Sequence, residues 1–399
     1  MVRFQSYGGI VHVMYSLLAG VMLLGVLAAA QSRQTFPGPM PNLPFSAAVK
    51  ADGLVYVAGT LSAEGDVRAQ TRKTIEDMSA VLQKAGSSLA NVASVNVYLT
   101  RAEDFAAMNE VYRTFWPEDP PVRTTIVADL VVPGALVEMS MVAIPNGGER
   151  VVIHPSDWIK SPNPYSYGIR SGDTLFLAGL VARNGKDNSL VEGDMTTQTR
   201  AVLDNAGAIL KAAGMGFEHV VSSRVFITDA TKFQEMNKAY VSYFAKEPPA
   251  RATVIAPLMA PQFQVEITLT ASRLPKRVIT TPMADGSPGK PSAILSSAVE
   301  VGNRLYVSGM LGNTKTNVGD AEAQTVEIMN RVGRTLKAAG YDWGQVVDGI
   351  VYITDVKHFD AMNRGYRTIF TKDFPARATV RTGLVNETGL VEIMFVVTK

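Results

Sequence analysis

Three arginine–glutamate pairs recur along this sequence at one fixed spacing. Each arginine follows a Pro-x step and begins an apolar run, and a glutamate comes 15 residues later inside a second apolar run; the pairs are Arg123 and Glu138, Arg251 and Glu266, and Arg377 and Glu392. A guanidinium is planar and permanently charged, and it binds a carboxylate through two parallel hydrogen bonds. A carboxylate inside an apolar strand should be partly buried, paired with a cation, or raised in pKa.

Two interpretations of these pairs are open from the residues alone. The first is a buried ion pair between the arginine and the glutamate of one pair, which proteins contain without any catalytic role. The second is a carboxylate-binding arginine beside a glutamate that handles a proton or a water molecule. A pocket that only binds a carboxylate needs only the arginine, so the recurrence of both residues favours catalysis.

Other polar residues recur at constant distances from the arginines. An asparagine lies 14 residues before each one (Asn109, Asn237 and Asn363). A structural role, either anchoring the helix or making a contact between copies, and a ligand contact are equally compatible with the sequence. A glutamine lies a further 39 residues back (Gln70, Gln198 and Gln324), at the start of a predicted helix, and we interpret it as a capping residue. A tyrosine follows each asparagine by three residues (Tyr112, Tyr240 and Tyr366) and is predicted to lie in the core.

These residues belong to three copies of one unit of about 100 residues, a size typical of a single domain. The segments AQTRKTIEDMSAVLQKAG, TQTRAVLDNAGAILKAAG and AQTVEIMNRVGRTLKAAG align directly, and length differences fall only between an early glycine (Gly59, Gly179, Gly309) and the glutamine. The predicted organisation is a leader at 1–30, a linker at 31–43, domain 1 at 44–145, a linker at 146–163, domain 2 at 164–273, a linker at 274–293 and domain 3 at 294–399.

Each copy is predicted to be an α+β domain, a sheet with two helices on one face. The order is strand, helix, strand, helix, strand, strand, preceded by a short strand near 46–51 in the first copy. Ile75, Met78 and Leu82 recur at helical steps, and a glycine after the helix suits a left-handed C-cap. The other sheet face is partly apolar, and three copies could bury these faces together in a pseudo-threefold ring, so the chain is expected to be monomeric.

The N-terminal segment indicates where the protein is located, and the composition indicates which binding partners are expected. Residues 10–30 are apolar, Arg3 precedes them, and Ala28-Ala29-Ala30 ends them. This pattern predicts a cleaved signal peptide or an uncleaved membrane anchor, with a misassigned start as the third possibility, so an exported protein, periplasmic or secreted, is expected. The net charge is +2 without a basic run, there is no cysteine and the four histidines are scattered, so neither a nucleic-acid partner nor a metal site is expected.

The third copy's motifs GNRLYVSG, FDAMN, FPARATV and GLVEI, with their counterparts in the other copies, resemble the RidA/YjgF family of imine deaminases. The resemblance covers nearly all of the chain after the leader. It implies the chorismate-mutase-like fold and ligand clefts between the subunits of a trimer, here fused in one chain. It also implies a 2-iminobutanoate/2-iminopropanoate deaminase-like hydrolase that needs no cofactor.

The resemblance further implies residue roles. Arg123, Arg251 and Arg377 would grip the carboxylate of a 2-imino acid, while Glu138, Glu266 and Glu392 would place the water that attacks the imine carbon, giving a 2-oxo acid and ammonia. The implied substrate-binding residues are Gly59, Asn109, Thr125, Tyr165, Gly179, Asn237, Thr253, Ser308, Gly309, Asn363 and Thr379.

The cleft rim departs from the family pattern and differs between copies. The family's early aromatic residue is kept as Tyr165 but is Phe45 in copy 1 and Leu295 in copy 3, and the serine before the glycine is kept only as Ser308. The substrate range therefore stays open. The alternatives to the deaminase are a non-catalytic small-carboxylate-binding or scaffold protein, and a hydrolase of a related C=N or amide bond.

Overall fold

The computed structural model describes residues 1–2, 33–38, 42–244 and 246–399. The predicted leader at residues 10–30 lies outside these ranges, so the signal-peptide and anchor expectations stay predictions. Within the ranges described, no helix is both long and apolar enough to cross a membrane.

Three successive stretches of the chain repeat one order of elements. Copy 1 comprises β1 (Gln34–Pro37), β2 (Ser46–Ala51), β3 (Leu54–Leu61), α1 (Val67–Lys84), β4 (Val92–Leu99), α2 (Phe105–Phe115), β5 (Val122–Val127), β6 (Asp129–Leu130) and β7 (Val137–Ala143). Copy 2 comprises β8 (Val151–Ile153), β9 (Gly168–Ser171), β10 (Thr174–Leu177), α3 (Met195–Ala212), β11 (Val220–Ile227), α4 (Phe233–Tyr240), β12 (Ala250–Ile255) and β13 (Val265–Ser272). Copy 3 comprises β14 (Lys276–Ile279), β15 (Ala298–Val301), β16 (Arg304–Leu311), α5 (Ala321–Ala339), β17 (Val346–Ile353), α6 (Phe359–Arg367), β18 (Ala376–Arg381), β19 (Gly383–Leu384) and β20 (Val391–Thr398).

The long helices begin and end where local chemistry predicts. An aspartate caps each N-terminus by accepting a hydrogen bond from a backbone N–H three residues on; these residues are Asp66, Asp194 and Asp320. At each C-terminus a glycine takes a positive φ of 74°, 71° or 79°, at Gly86, Gly214 and Gly340. The predicted glycine stop signals are therefore confirmed. The apolar residues Ile75, Met78 and Leu82 are fully buried against the sheet, as their spacing predicts.

The strands of every copy follow one order, in which the arginine strand and the glutamate strand are not neighbours; β18 also pairs with β2, so copies 1 and 3 share a 13-stranded sheet. The order in copy 1 is β1-β2-β3-β7-β4-β5, with β4 and β5 parallel and every other pair antiparallel. Copies 2 and 3 repeat it as β8-β9-β10-β13-β11-β12 and β14-β15-β16-β20-β17-β18. This agrees with the predicted α+β domain.

The sheet faces turned away from the helices pack against one another. Tyr98, Phe226 and Tyr352 occupy equivalent positions in the three copies, and all belong to one buried apolar cluster. The strand that carries each arginine also meets the following copy. Ser166 N–H donates to Pro121 C=O at 3.2 Å, Ser296 N–H to Pro249 C=O at 3.1 Å, and Ser46 N–H to Pro375 C=O at 3.0 Å. Copy 3 therefore contacts copy 1 in the same way that copies adjacent in sequence contact each other.

The interpretation of 31–43, 146–163 and 274–293 as linkers is incomplete. Each contains a strand, β1, β8 or β14, and a cation at that strand holds the preceding copy. Arg150 donates to the carbonyls of Val92 and Asp119 at 2.9 and 2.8 Å, and Lys276 repeats this with Val220 and Glu247. Arg33 makes the matching contacts with Val346 and Asp373, at 2.9 and 2.6 Å. The Pro- and Gly-rich composition concealed these short strands.

Candidate functional site

The site consists of three junctions, and each combines residues from two copies. We call them the first junction (Arg123 with Glu266), the second junction (Arg251 with Glu392) and the third junction (Arg377 with Glu138). At the first junction, the Thr125 N–H donates to Glu266 Oε1 at 3.2 Å. The backbone N–H of Thr379 bonds Glu138, and that of Thr253 bonds Glu392, in the same way.

The buried ion pair within one copy, the first of the two interpretations above, is wrong. In the order β7-β4-β5, strand β4 separates the glutamate strand from the arginine strand. Glu138 lies opposite Tyr98 and Arg123 lies opposite Val95, three residues further along β4. With about 4.8 Å between strands and about 3.3 Å per residue, their backbones are about 14 Å apart. Across the described ranges, no ion pair joins any two of the six residues. Each glutamate instead faces the arginine of the preceding copy, and the glutamate of copy 1 faces the arginine of copy 3.

Each arginine is buried against aromatic rings of the second helix in its own copy. Only 1–4% of each arginine is exposed. The guanidinium carbon lies 4.8, 4.7 or 4.9 Å from the ring centre of the tyrosine in its own copy, Tyr112, Tyr240 or Tyr366. The predicted core position of these tyrosines is confirmed, since all are fully buried. Their contact with the arginine is a cation–π interaction that the sequence analysis missed.

Several guanidinium N–H groups are buried and unpaired within the part of the chain that the structure describes. They are Arg123 Nη1, Arg251 Nε and Nη1, and Arg377 Nε and Nη2. A buried donor without an acceptor costs about 1–3 kcal/mol, more for a charged group. A planar carboxylate supplies two acceptors in the matching geometry. The donor set therefore fits a carboxylate ligand.

The asparagines contact different partners at different junctions. Arg251 Nη2 donates to Asn237 Oδ1 at 2.8 Å. At the first junction, Asn109 Nδ2 donates to Asn163 Oδ1 of copy 2 at 3.4 Å, which is a contact between copies. Asn363 is equally buried, and its Oδ1 has no partner among the described residues. The contact at Asn109 is thus structural, and the ligand contact stays a prediction.

A glycine makes room for each glutamate. A Cβ atom on Gly59 would lie 2.0 Å from Glu138 Oε1, one on Gly179 2.0 Å from Glu266 Oε1, and one on Gly309 1.9 Å from Glu392 Oε1. No side chain can occupy that position while the carboxylate stays in place. The recurrence of glycine is explained by this close approach.

Burial changes the proton affinity of both charged groups. It raises the pKa of Glu138, Glu266 and Glu392 to about 8, although a threonine N–H and the facing arginine stabilise the charged form. Burial lowers the pKa of Arg377 to about 10, which leaves this arginine protonated at neutral pH. A carboxyl group that titrates near neutral pH can both give and take a proton.

The glutamines do not cap the helices, so that prediction is wrong. The aspartates make the caps, and the fully buried glutamine instead holds the loop before the glutamate strand. Gln70 Oε1 accepts from Leu136 N–H at 2.7 Å, Gln198 Oε1 from Gln264 N–H at 2.9 Å, and Gln324 Oε1 from Leu390 N–H at 2.8 Å. Each acceptor contact lies two residues before the glutamate. The constant spacing of 66 residues was the signal that could have revealed it.

The rim residues differ between junctions as the sequence analysis expected from their identities. Tyr165 lies near Arg123 and Glu266 at the first junction, where it contributes to their electrostatic environment. Phe45 takes this place at the third junction, with its ring centre 5.5 Å from the Arg377 guanidinium. Ser308 is only 1% exposed, and its hydroxyl accepts from the Arg251 N–H at 2.8 Å and donates to a backbone carbonyl. These bonds hold the arginine strand rather than offer the hydroxyl to a ligand.

The third junction opens into a cavity of about 640 Å³. Arg377, Thr379, Glu138 and Gly59 line it together, so four of the predicted site residues share one space. Phe359 of α6 and Phe45 also border it. This volume lies within the range of about 300–1,000 Å³ that small-molecule sites occupy.

The fold and the junctions define a protein of three α+β copies with a ligand-sized cleft at the third junction. A family model described as Endoribonuclease L-PSP matches the chain three times, at residues 37–145, 156–273 and 287–399. Because these matches cover most of the chain, it belongs to this family, which includes the RidA/YjgF proteins that its motifs resemble.

Individual relatives correspond to one copy. A RutC family protein of Sulfurisphaera tokodaii is 38% identical over 114 residues, which cover 29% of this chain and 91% of the relative. The structure of a Rid family protein of unknown function, YyfA of Yersinia pestis, covers 31% of this chain and 99% of its own, with 32% identity and a TM-score of 0.30. A chorismatase structure covers 77% of this chain and 93% of its own at 14% identity with a TM-score of 0.50, which indicates a similar fold only.

Proposed function

We propose that this chain is a cofactor-free hydrolytic deaminase of 2-imino acids, with one reaction site at each junction. The proposal rests mainly on one observation: a buried arginine with unpaired N–H groups faces a buried glutamate whose pKa is raised to about 8. The family membership supports it, since RidA/YjgF proteins are associated with imine deamination.

The proposed reaction uses these two side chains only. The guanidinium binds the substrate carboxylate, which sets the imine carbon at the glutamate. The glutamic acid gives its proton to the imine nitrogen, and the resulting carboxylate takes a proton from the attacking water as the C–O bond forms. The same proton then passes to the nitrogen. The C–N bond breaks as the hydroxyl group of the tetrahedral intermediate becomes the carbonyl and gives its proton to the glutamate carboxylate, and a 2-oxo acid and ammonia leave. One water is consumed and the glutamic acid is regenerated.

We also propose that the three copies close into a pseudo-threefold ring within one chain. The contacts that join copy 3 to copy 1 match those at the other junctions, including the Ser46–Pro375 hydrogen bond and the Arg33 contacts. Light scattering of the purified protein should then give the mass of a single chain, 42.9 kDa or that of the chain without its leader. A stable trimer of chains would contradict the ring.

The activity is tested with 2-iminopropanoate generated in place by an amino-acid oxidase with catalase present. Wild type should shorten the imine lifetime, and the triple Arg→Ala and triple Glu→Gln variants should leave it at the buffer value. If wild type also leaves it unchanged, the deaminase proposal is wrong. Saturable binding of a 2-oxo acid without turnover would then favour a carboxylate-binding protein, and cleavage of RNA or of an amide would favour another hydrolase.

A further inference from the structure

The cavity at the third junction extends well beyond its charged end. Residues of α1 line it beyond Arg377 and Glu138, together with an apolar wall of half-buried side chains, which are Phe36, Leu43, Leu61, Val81 and Val132. The polar residues of α1 that border it have exposed side chains; they are Lys84 and the pair Lys73 and Asp77, which bind each other. The apolar wall offers no partner for a polar substituent.

Copy 2 fills the corresponding groove with its own chain. The stretch between its early glycine and its glutamine is the longest of the three, and it folds back onto α3. Asn205, the counterpart of Asp77, donates a hydrogen bond to the Arg183 carbonyl within that stretch. Trp158 and Val191 pack beside it against the core. Among the residues that the structure describes, the groove along α1 is open, whereas the groove along α3 is covered.

Copy 3 covers the groove in another way. The segment after β14 lies on α5, where Arg334 Nε donates to the Pro282 carbonyl at 3.0 Å. Thr335 and Thr281 share a hydrogen bond of 2.6 Å between their hydroxyl groups. The counterparts in copy 1 are Ala80, which is much smaller than Arg334, and Val81, which has the size of Thr335 but no hydroxyl group to hold a covering segment; both line the cavity.

We propose that the third junction accepts 2-imino acids with a large apolar side chain, such as those formed from leucine or phenylalanine, whereas the other two junctions act on small ones. This inference rests on the proposed deaminase function. Arg377 fixes the carboxylate and Glu138 meets the imine, so the side chain of the substrate points toward the apolar wall. In a hydrophobic pocket each added methylene group changes kcat/KM by about tenfold or more.

The junctions can be separated by substitution because each has its own glutamate. The double variant Glu266→Gln with Glu392→Gln keeps only the third junction, and Glu138→Gln keeps only the other two. With alanine-derived and leucine-derived imines as the two substrates, the ratio of kcat/KM values, leucine over alanine, should be at least tenfold higher in the double variant than in Glu138→Gln. An equal ratio in both variants would overturn the inference.

A second variant tests the cavity without touching the reacting groups. Ala80→Trp should fill the groove and lower kcat/KM for the leucine-derived imine at least tenfold relative to the alanine-derived one. The matched control is Glu76→Trp, at an exposed position of α1 outside the cavity lining, and its ratio should equal that of wild type. If Ala80→Trp leaves the ratio unchanged, the assignment of the cavity is wrong. If wild type accelerates neither imine, the deaminase proposal itself fails, which is a different result.

Discussion

The raised pKa of the buried glutamates should appear as a pH-dependent loss of stability. Glu138 is 4% exposed, and burial raises its pKa from the ordinary value of 4.5 to about 8. Between these values the folded state holds a proton that the unfolded state releases. The contribution of Glu138 to the free energy of unfolding is therefore fully present below its pKa in the unfolded state. It is lost as the pH rises toward its pKa in the folded state. Glutamine, which cannot ionise, removes this dependence.

The size of the effect follows from the two pKa values. One pKa unit corresponds to about 1.4 kcal/mol, so the contribution of Glu138 should change by about 4 kcal/mol between about pH 5 and pH 8.5. Glu138→Gln should therefore gain about that much stability relative to wild type over this interval. The amide oxygen can still accept the hydrogen bond from the Thr379 N–H, so the geometry of the junction is retained.

The measurement is the free energy of unfolding by urea for wild type and Glu138→Gln, at about pH 5 and about pH 8.5, the ends of that interval. Glu76→Gln, at an exposed position, is the control and should shift little with pH relative to wild type. A titration of the labelled glutamate carboxyl carbons by NMR gives an independent reading of the same pKa. If the stability difference between Glu138→Gln and wild type is the same at both pH values, Glu138 ionises normally in the folded protein and the reasoning is refuted.

The proposed reaction needs one proton shared by glutamate and imine, so kcat/KM should fall about tenfold per unit as the pH rises beyond about 8; a kcat/KM that stays constant beyond this pH would contradict the glutamic acid as proton donor. Gln324→Ala should cost about 1–3 kcal/mol in urea unfolding because the Leu390 N–H loses its acceptor. The exposed Gln83→Ala should cost almost nothing, and equal costs would contradict the anchoring role. Gly179→Ala should abolish turnover at the first junction, since its Cβ would collide with Glu266; activity retained in a variant with the other two glutamates replaced would show that the carboxylate can move.

The repeated pattern explains why the domain fold could be predicted. The same helical and strand periodicity recurs in all three copies, although individual residues differ between them. The helix α1 and the glycine at its C-terminus could therefore be predicted. The strands β1, β8 and β14 were missed because short strands among proline and glycine carry little periodic signal. Their stability comes from contacts with the neighbouring strand and with the preceding copy, as at Arg150, and no local pattern encodes such contacts.

Within the site, the sequence indicated which residues recur but not which of them meet. The spacing of 15 residues suggested that Arg123 and Glu138 could pair, yet β4 lies between their strands. The strand order of the sheet, together with the packing of one copy on another, decides that Glu138 faces Arg377 instead. The role of Gln70 was also misassigned, because its partner Leu136 is distant in sequence and close only after the sheet has formed.

This arrangement makes the junction, rather than the copy, the unit on which chemistry depends. A copy gives its arginine to one junction and its glutamate to another, so any change in one copy affects two sites. The side that supplies the glutamate also supplies the stretch between the early glycine and the glutamine, which covers the groove over α3 but leaves it open over α1. In a trimer of identical chains, any such change would appear in all three clefts at once. A single chain with three copies is free of that constraint. Under the proposed function, the length of one loop would therefore alter the substrate range of one junction while the arginine and glutamate of all three stay in place.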